Sequence, residues 1–324
     1  MENIASKQIR RSKDLSLIKV KREDVKTITI GLAISSVMLA QVGEHDFKLK
    51  AAANLVMLEV SAKDREGRFV SDLTRGAFHV RENGKAQTIS QFSKEDAPVT
   101  IGLVIDDSAS MKTKYSEVIN SAMIFLSSSN PKDQVFVVHF NDSVRVGLPK
   151  GVPFSDNPAL LKASLLRNSA EGRTALYDAI LLSLKHLNSG RQEKKSLLLI
   201  SDGGDNASAH ELKDVIEAVR ESHATIYTIG IFDEDDAARN PGLLRSLANV
   251  SGGDAFFPKT LLELAPICQQ IATDIRSRYT VGYVPSEAKG SDDLRRLDVS
   301  ATRHGERILI RARTSYRFPK DIQE

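Results

Sequence analysis

Cysteine is almost absent from the 324-residue chain, since Cys268 is the only one. A single thiol cannot close an intramolecular disulfide, so no disulfide framework holds this fold together. The chain is 41% hydrophobic, which is enough to bury a sizeable core at this length. Cys268 lies among apolar neighbours in LAPICQQIATDI, and we expect it to be a small buried core residue rather than a reactive thiol.

The chain also lacks a large charge of either sign once its N-terminus is set aside. The formal charge of the whole chain is +3, but residues 1–26 hold eight Lys or Arg and four Asp or Glu. Without residues 1–40 the charge is −1, from 37 basic and 38 acidic residues. Because the basic excess belongs to this first segment, the charge argument for nucleic-acid binding disappears, and we expect no nucleic-acid partner.

The apolar stretch near the N-terminus is too short for a typical membrane-spanning helix. Residues 27–43 carry no charge, and their core, ITIGLAISSVMLAQ, has about the length of a signal-peptide apolar region. This pattern predicts an export signal over residues 1–40, with cleavage after Ala40 and a periplasmic or secreted mature protein. An uncleaved N-terminal membrane anchor and a cytoplasmic protein are the alternatives. We expect membrane contact only through this segment.

β-Structure is predicted on both sides of a central region. Residues 47–97 contain the strand LVMLEVSA and the hairpin AFHVRE-NG-KAQTIS, whose Asn83-Gly84 turn suits type I′. Residues 278–318 contain YTVGYVP and a second hairpin with a His304-Gly305 turn. Neither segment has many strands, and lone hairpins are marginal. We therefore expect both segments to pair into one small β-sandwich, followed by a loose tail over residues 319–324.

The central region, residues 98–277, alternates between apolar runs and amphipathic segments. Buried parallel strands are predicted at 99–105, 134–140, 196–201 and 224–231, with a short edge strand at 143–148. Helices are predicted near 115–128, 158–167, 174–188, 208–221, 240–250 and 260–277. This alternation predicts a doubly wound, mostly parallel α/β sheet, inserted between the two halves of the sandwich.

Five residues with carboxylate or hydroxyl side chains occupy positions at which a metal site could form. Asp106, Ser108 and Ser110 lie in VTIGLVIDDSASM, Thr174 opens EGRTALYDAILLSL, and Asp202 follows the apolar run of KSLLLISDGGDN. The doubly wound strand order 3-2-1-4-5 would make the strands that end at the two acids neighbours, so both could face one cation. Two carboxylates and three hydroxyls are hard oxygen ligands, which suit Mg²⁺ or Mn²⁺ rather than zinc.

Each of these residues also has an ordinary structural interpretation. Ser108 and Ser110 could be turn residues, Thr174 could be a helix N-cap, and Asp202 could start the turn DGGD. Taken singly, these interpretations are at least as good as a ligand role. Taken together, at the ends of predicted neighbouring strands, the five residues favour a metal site.

Other polar residues near the pattern are predicted to be structural or solvated. We expect Asp107 and Asp205 to be solvated loop carboxylates. The acidic run at residues 233–236 is predicted to be a solvated loop, with a second cation site or a patch for a basic partner as the alternative. His139 and His186 have no paired ligand pattern, so we interpret both as structural.

The pattern D-x-S-x-S, with a distant Thr and a distant Asp after a strand, resembles the metal-ion-dependent adhesion site of von Willebrand factor type A (VWFA) domains. Residues 47–318 as a whole resemble a bacterial group of exported "VWFA-related" proteins. The resemblance implies a Rossmann-like fold and a Mg²⁺ or Mn²⁺ ion held by the five residues named above. In that family the sixth coordination position is filled by water or by a carboxylate of a partner protein.

Two classes of function follow from this pattern. The first is a cation-dependent protein-binding or adhesion module that acts outside the cytoplasm, performs no catalysis, and binds an Asp or Glu carboxylate of its partner through the metal. The second is a Mg²⁺-dependent phosphohydrolase or phosphoacceptor enzyme, since VIDD after a first strand suits either. The phosphotransferase pattern D-x-D has Ser108 at its third position here, the spacing of a phosphoacceptor domain does not fit, and no G-x-S-x-G is present. These departures favour the binding module.

Overall fold

The computed structural model of the protein describes four stretches of the chain: residues 55–166, 170–232, 239–286 and 294–317. The predicted export segment 1–40, the acidic run 233–236 and the tail 319–324 lie outside the described residues, as do residues 47–54 of the first predicted β segment. No helix in the described stretches is both long and apolar enough to cross a membrane.

The first strands of the described chain precede the α/β region. They are β1 (Val56–Lys63), β2 (Phe78–Glu82), β3 (Lys85–Gln87) and β4 (Ile89–Ser93). Asn83 and Gly84 connect β2 to β3 with φ angles of 48° and 81°. A two-residue type I′ turn needs positive φ at both positions, so the predicted hairpin turn is confirmed.

The strands of the central region form one sheet. They are β5 (Val99–Asp106), β6 (Gln134–Phe140), β7 (Val144–Val146), β8 (Lys194–Ser201), β9 (Thr225–Gly230) and β10 (Ala255–Phe256). Their spatial order is β10-β9-β8-β5-β6-β7, and all neighbours are parallel except β7, which is antiparallel to β6. Every residue of β5 and β9 is buried, as expected for strands covered by helices on both faces. The predicted doubly wound, mostly parallel sheet is confirmed.

Helices cover this sheet. In the described stretches they are α1 (Tyr115–Ser128), α2 (Pro158–Leu165), α3 (Leu176–Asn188), α4 (Leu212–Glu221), α5 (Pro241–Ser251) and α6 (Leu264–Ser277). Helix α4 begins four residues later than predicted, because Glu211 and Asp214 form a capping box at its start. Cys268 is buried in α6 at 0% exposure, which confirms its predicted role in the core.

The last strands return to the β-structure of the N-terminal part. They are β11 (Tyr279–Tyr283), β12 (Leu294–Arg303), β13 (Glu306–Arg307), β14 (Leu309–Arg311) and β15 (Ser315–Arg317). One antiparallel sheet has the order β14-β1-β11-β4, and the other has the order β13-β12-β2-β3. A shared apolar core that includes Leu58, Phe78, Tyr279 and Tyr283 lies in these sheets. Strands from both ends of the chain therefore build one small β-sandwich, and the α/β domain is inserted between them.

A buried ion pair connects the two parts. Asp274 of α6 and Arg278 lie 3.1 Å apart, and both side chains are 2% exposed. Asp274 also accepts a hydrogen bond of 2.6 Å from the Ser61 hydroxyl in β1 and one from the Tyr227 hydroxyl in β9. Burial raises the pKa of Asp274, but the charges of Arg278 and Lys63 and these hydrogen bonds together lower it below its ordinary value. The network therefore fixes α6 to both the sandwich and the central sheet.

Candidate metal centre

Two acids meet at the carboxyl edge of the central sheet. Strand β5 ends at Asp106, and Asp202 directly follows β8, which is the parallel neighbour of β5 with Ile105 paired to Ile200. Asp106 is 0% exposed and Asp202 is 2% exposed. The two adjacent parallel strands end at the same edge of the sheet and thus bring two carboxylates to one buried position. Rossmann-like sheets bind their ligands at this edge.

The Asp106 carboxylate is held by hydrogen bonds from neutral groups. Its Oδ1 accepts a hydrogen bond from the Ser108 amide at 2.9 Å, and its Oδ2 accepts one from the Ser201 hydroxyl at 2.6 Å. Burial raises the pKa of Asp106 to about 7, and the neighbouring charge of Asp202 adds to the increase. The hydrogen bonds from the serines lower this pKa but do not offset the burial.

The hydroxyls of the DDSAS loop connect the two acids. The Oγ atoms of Ser108 and Ser110 lie 3.0 Å apart, and Ser110 Oγ donates to Asp202 Oδ2 at 2.6 Å. Ser108 precedes a short 3₁₀ turn, Ala109–Met111, but its side chain makes no capping hydrogen bond to that turn. Ser108 is buried whereas Ser110 is exposed, so the site opens to solvent on the side of Ser110.

Thr174 belongs to a loop that packs against the DDSAS loop. The Ala109 amide donates to the Gly172 carbonyl at 3.1 Å, and the Glu171 amide donates to the Asp107 carbonyl at 2.7 Å. The N-cap position of α3 is occupied by Ala175, so Thr174 does not cap that helix. These contacts place Thr174 beside the DDSAS loop.

The Asp202 carboxylate stabilises a turn with one oxygen and contacts the DDSAS loop with the other. Its Oδ1 accepts the Gly204 amide at 2.9 Å, while its Oδ2 is the acceptor for Ser110. Gly203 has φ +80°, and a Cβ there would lie 2.8 Å from the Asn240 carbonyl oxygen, so only glycine suits this turn. The turn fixes one carboxylate oxygen and leaves the other directed at the serines.

The prediction of a solvated carboxylate at Asp107 is wrong. Its side chain is 0% exposed and lies against His139, near the end of the neighbouring strand β6. His139 Nδ1 lies 3.1 Å from Asp107 Oδ1 and 3.0 Å from Oδ2, and Nε2 lies 3.2 Å from the Ser164 carbonyl oxygen. Both ring nitrogens of this buried histidine are therefore engaged, which agrees with its predicted structural role.

Asp205 is also more than a solvated carboxylate. It is partly buried, and its Oδ1 accepts the Tyr177 amide at 3.1 Å and the Ser208 hydroxyl at 2.6 Å. Tyr177 lies in the first turn of α3, where backbone amides have no partner within the helix. Asp205 therefore supplies a cap from a distant loop.

Sequence reasoning missed two residues that support the site. Ser201 donates to Asp106, and Asn206 Oδ1 accepts the Thr174 amide at 2.9 Å. The register of β5 and β8 could have indicated Ser201, because pairing the two apolar runs from their ends places it beside Asp106. Asn206 has no comparable signal, since its contact depends on how a loop returns to the start of α3.

The donor set fits a hard divalent cation. Asp106 and Asp202 are both buried, and among the described residues no basic side chain forms an ion pair with either acid. No group of three or more His, Cys, Asp or Glu side chains in these stretches forms a metal site. A cation bound at these residues would be held by two carboxylates and hydroxyl oxygens, hard ligands of the kind that suit Mg²⁺ or Mn²⁺.

The family model of the von Willebrand factor type A domain matches residues 100–270. This match covers more than half of the chain and includes all five candidate ligands, and the chain belongs to the von Willebrand factor type A family. No curated protein sequence matches the chain.

Solved structures with similar folds come from several bacteria. A von Willebrand factor type A protein from Catenulispora acidiphila is 14% identical, with a TM-score of 0.50, and the match covers 83% of this chain and 74% of that one. The BatB protein of Bacteroides thetaiotaomicron is 15% identical, with a TM-score of 0.44 and coverage of 56% and 100%. The vWF domain of the Mfa5 pilus tip protein from Porphyromonas gingivalis is 15% identical, with a TM-score of 0.48 and coverage of 56% and 96%. At these identities the likeness concerns the fold alone.

Proposed function

We propose that this chain is a divalent-cation-dependent protein-binding module. In this proposal Asp106, Ser108, Ser110, Thr174 and Asp202 hold a Mg²⁺ or Mn²⁺ ion at the carboxyl edge of the sheet. The observation that carries the proposal is the pair of buried carboxylates at the ends of adjacent strands, linked through Ser108 and Ser110 and without a basic ion-pair partner in the described residues. Membership in the von Willebrand factor type A family supports it.

The bound ion would supply a Lewis-acidic point for one more oxygen. Two carboxylates roughly neutralise a dication, which leaves it able to attract a further anionic ligand. Ser110 is exposed, so a ligand can reach the site from solvent. The ligand we propose is an Asp or Glu side chain of a partner protein.

We propose binding rather than catalysis. His139, the histidine in contact with the DDSAS loop, is 0% exposed and has both ring nitrogens engaged by Asp107 and the Ser164 carbonyl. A general acid or base must lie within hydrogen-bond reach of the reacting group, and this buried side chain is directed at groups of the fold instead.

We further propose that the protein acts outside the cytoplasm, in the periplasm or as a secreted protein. The support is the basic and then apolar sequence of residues 1–40. N-terminal sequencing of the protein from fractionated cells should find a mature chain that begins near Gln41. A soluble cytoplasmic pool that retains Met1 would contradict this location.

The binding function is tested by capture of a partner under controlled metal conditions. The full chain is immobilised and exposed to cell-envelope extract in Mg²⁺ or in excess EDTA, beside the variants Asp202→Ala and Asp298→Ala. Asp298 is exposed on β12, so its variant serves as a control. We expect one set of proteins to be retained by wild type and Asp298→Ala in Mg²⁺ only. Retention that is equal in EDTA, or equal in Asp202→Ala, would contradict the proposal.

A further inference from the structure

One exposed cation belongs to the loop that packs against the DDSAS loop of the candidate metal centre. Arg173 directly precedes Thr174, and its side chain is 66% exposed. Its Nε donates to Asp142 Oδ1 at 2.7 Å. Arg173 is thus the chain neighbour of the loop residue proposed as a ligand, and its guanidinium is exposed to solvent.

The position of Arg173 is fixed by its surroundings. Its backbone amide donates to Asp142 Oδ2 at 3.1 Å, so one carboxylate binds both the backbone and the side chain of Arg173. The Ala175 amide donates to the Asn141 carbonyl at 2.8 Å, which holds the other side of Thr174. Gly172 has φ +80°, and a Cβ there would lie 2.0 Å from Asp142 Oδ2. The loop and Asp142 are therefore closely packed, which fixes the backbone of Arg173 beside the DDSAS loop.

The guanidinium retains binding capacity. Asp142 bonds only to Nε, and neither terminal amino group of Arg173 makes a hydrogen bond to the described part of the chain. The pair is exposed on both sides, at 66% and 48%, so solvent screens it and the guanidinium can still bind a second anion. The planar fork of arginine donors matches a carboxylate in a bidentate way, which an ammonium group cannot do.

From this geometry we infer that Arg173 determines which partners the metal site accepts, by binding a second carboxylate. The inference rests on the proposed function. The partner segment then carries two acidic residues, one for the metal ion and one for the outer edge of the Arg173 guanidinium. A partner with a single acid gains only the metal contact, so paired acids are selected over single ones.

The test is a parallel selection of displayed peptides on the full chain. A random peptide library is bound in Mg²⁺ and eluted with EDTA, using wild type, Arg173→Gln and Arg191→Gln. Arg191 is also an exposed arginine, three residues before β8 at the opposite edge of the sheet, and its variant is the matched control. Calorimetric Mg²⁺ binding should be the same in all three proteins, which shows that the metal site is intact.

We expect the peptides from wild type and Arg191→Gln to share two acidic positions at a recurring spacing. Those from Arg173→Gln should share only one. In a synthetic selected peptide, replacing the second acid by its amide should weaken binding to wild type several-fold and leave binding to Arg173→Gln unchanged, as a double-mutant cycle requires for a direct contact. Arg173→Lys should recover part of the affinity, since it keeps the charge and loses the fork.

The outcomes separate the inference from the function on which it rests. The role of Arg173 would be overturned if the peptides selected by wild type share a single acid, or if wild type and Arg173→Gln select the same two acids. Either outcome would leave metal-dependent binding in place. Failure of every protein to yield EDTA-eluted peptides would instead contradict the proposed function, and the role of Arg173 with it.

Discussion

At the scale of single residues, Ser201 controls the geometry of both acids although it is not a proposed ligand. Its hydroxyl donates to Asp106 Oδ2 at 2.6 Å and accepts the Gly203 amide at 3.0 Å, in the turn that positions Asp202. Such partners of metal ligands orient them, and their loss typically weakens metal affinity about 10–100-fold. We expect this loss for Ser201→Ala, measured by calorimetric titration with Mg²⁺.

The control for this prediction lies in the same strand. Ser196 is also buried, at 5% exposure, but it stands near the start of β8, away from the candidate metal centre. Ser196→Ala should bind Mg²⁺ as wild type does. Equal Mg²⁺ affinity in Ser201→Ala and wild type would show that the Ser201 hydroxyl does not orient a ligand.

At this scale the sequence predicted where the acidic residues lie along the strands and loops better than it predicted how far they are buried. Asp106 and Asp202 could be placed at strand ends because an apolar run stops at each acid. The burial of Asp107 could not be predicted, because its carboxylate lies against His139 of a strand more than thirty residues away. Local sequence shows where a strand ends, whereas the burial of a loop residue depends on its neighbours in the fold.

At the scale of elements, the end of α6 provides a direct comparison of a buried and an exposed ion pair. Arg278 is 2% exposed and pairs with Asp274, whereas Arg276 is 42% exposed and pairs with Asp96 at 2.6 Å. Removing one partner of a buried pair typically costs about 3–5 kcal/mol, since the other charge is left without compensation. Losing an exposed pair costs about 0–1 kcal/mol.

We therefore expect Arg278→Met to lower the free energy of unfolding by about 3 kcal/mol, the lower end of this range, because Lys63 still lies 3.6 Å from Asp274. Arg276→Met should lower it by less than about 1 kcal/mol. Urea unfolding of the full chain, followed by circular dichroism, measures both. Similar losses in the two variants would mean that the buried network does not stabilise the junction between the α/β domain and the sandwich.

Strands and helices could be predicted where the hydrophobic pattern is strong, but the residues at which they begin and end were less predictable. The strands β5, β6 and β8 follow from uninterrupted apolar runs, and their order follows from the doubly wound pattern. Helix α4 begins at Leu212, four residues after its predicted start. Residues before it instead reach across to the start of α3, where Asp178 accepts the Ala209 and His210 amides. These contacts replace helical hydrogen bonds, and the sequence of the loop does not show them.

At the scale of the whole molecule, the sandwich depends on strands from both ends of the chain. β1 pairs with β11 and β14, β2 pairs with β12, and β4 pairs with β11. Removal of residues 279–324 would therefore leave β1 without either neighbour and expose apolar strand edges. We expect limited proteolysis of this truncated chain to cleave rapidly within residues 55–97, while residues 98–277 remain protected by their own core.

An unchanged protease pattern in residues 55–97 after this truncation would contradict the shared sandwich. The sharing itself could be predicted from sequence, because neither terminal segment has enough strands to be stable alone. The junction could not be predicted in this way. Asp274, Ser61 and Tyr227 come from three distant parts of the chain, and no pattern in the sequence connects them.

The central claim, that the two strand-end acids hold a divalent cation, is tested most directly by calorimetric titration of the purified full chain with Mg²⁺. Wild type and the exposed-site control Asp298→Ala should each bind one ion. Asp106→Ala should bind none, since one carboxylate leaves half of the ion's charge uncompensated. The variant should keep the circular dichroism spectrum of wild type, because Asp106 lies at the end of its strand. Undiminished Mg²⁺ binding by a folded Asp106→Ala variant would contradict the account.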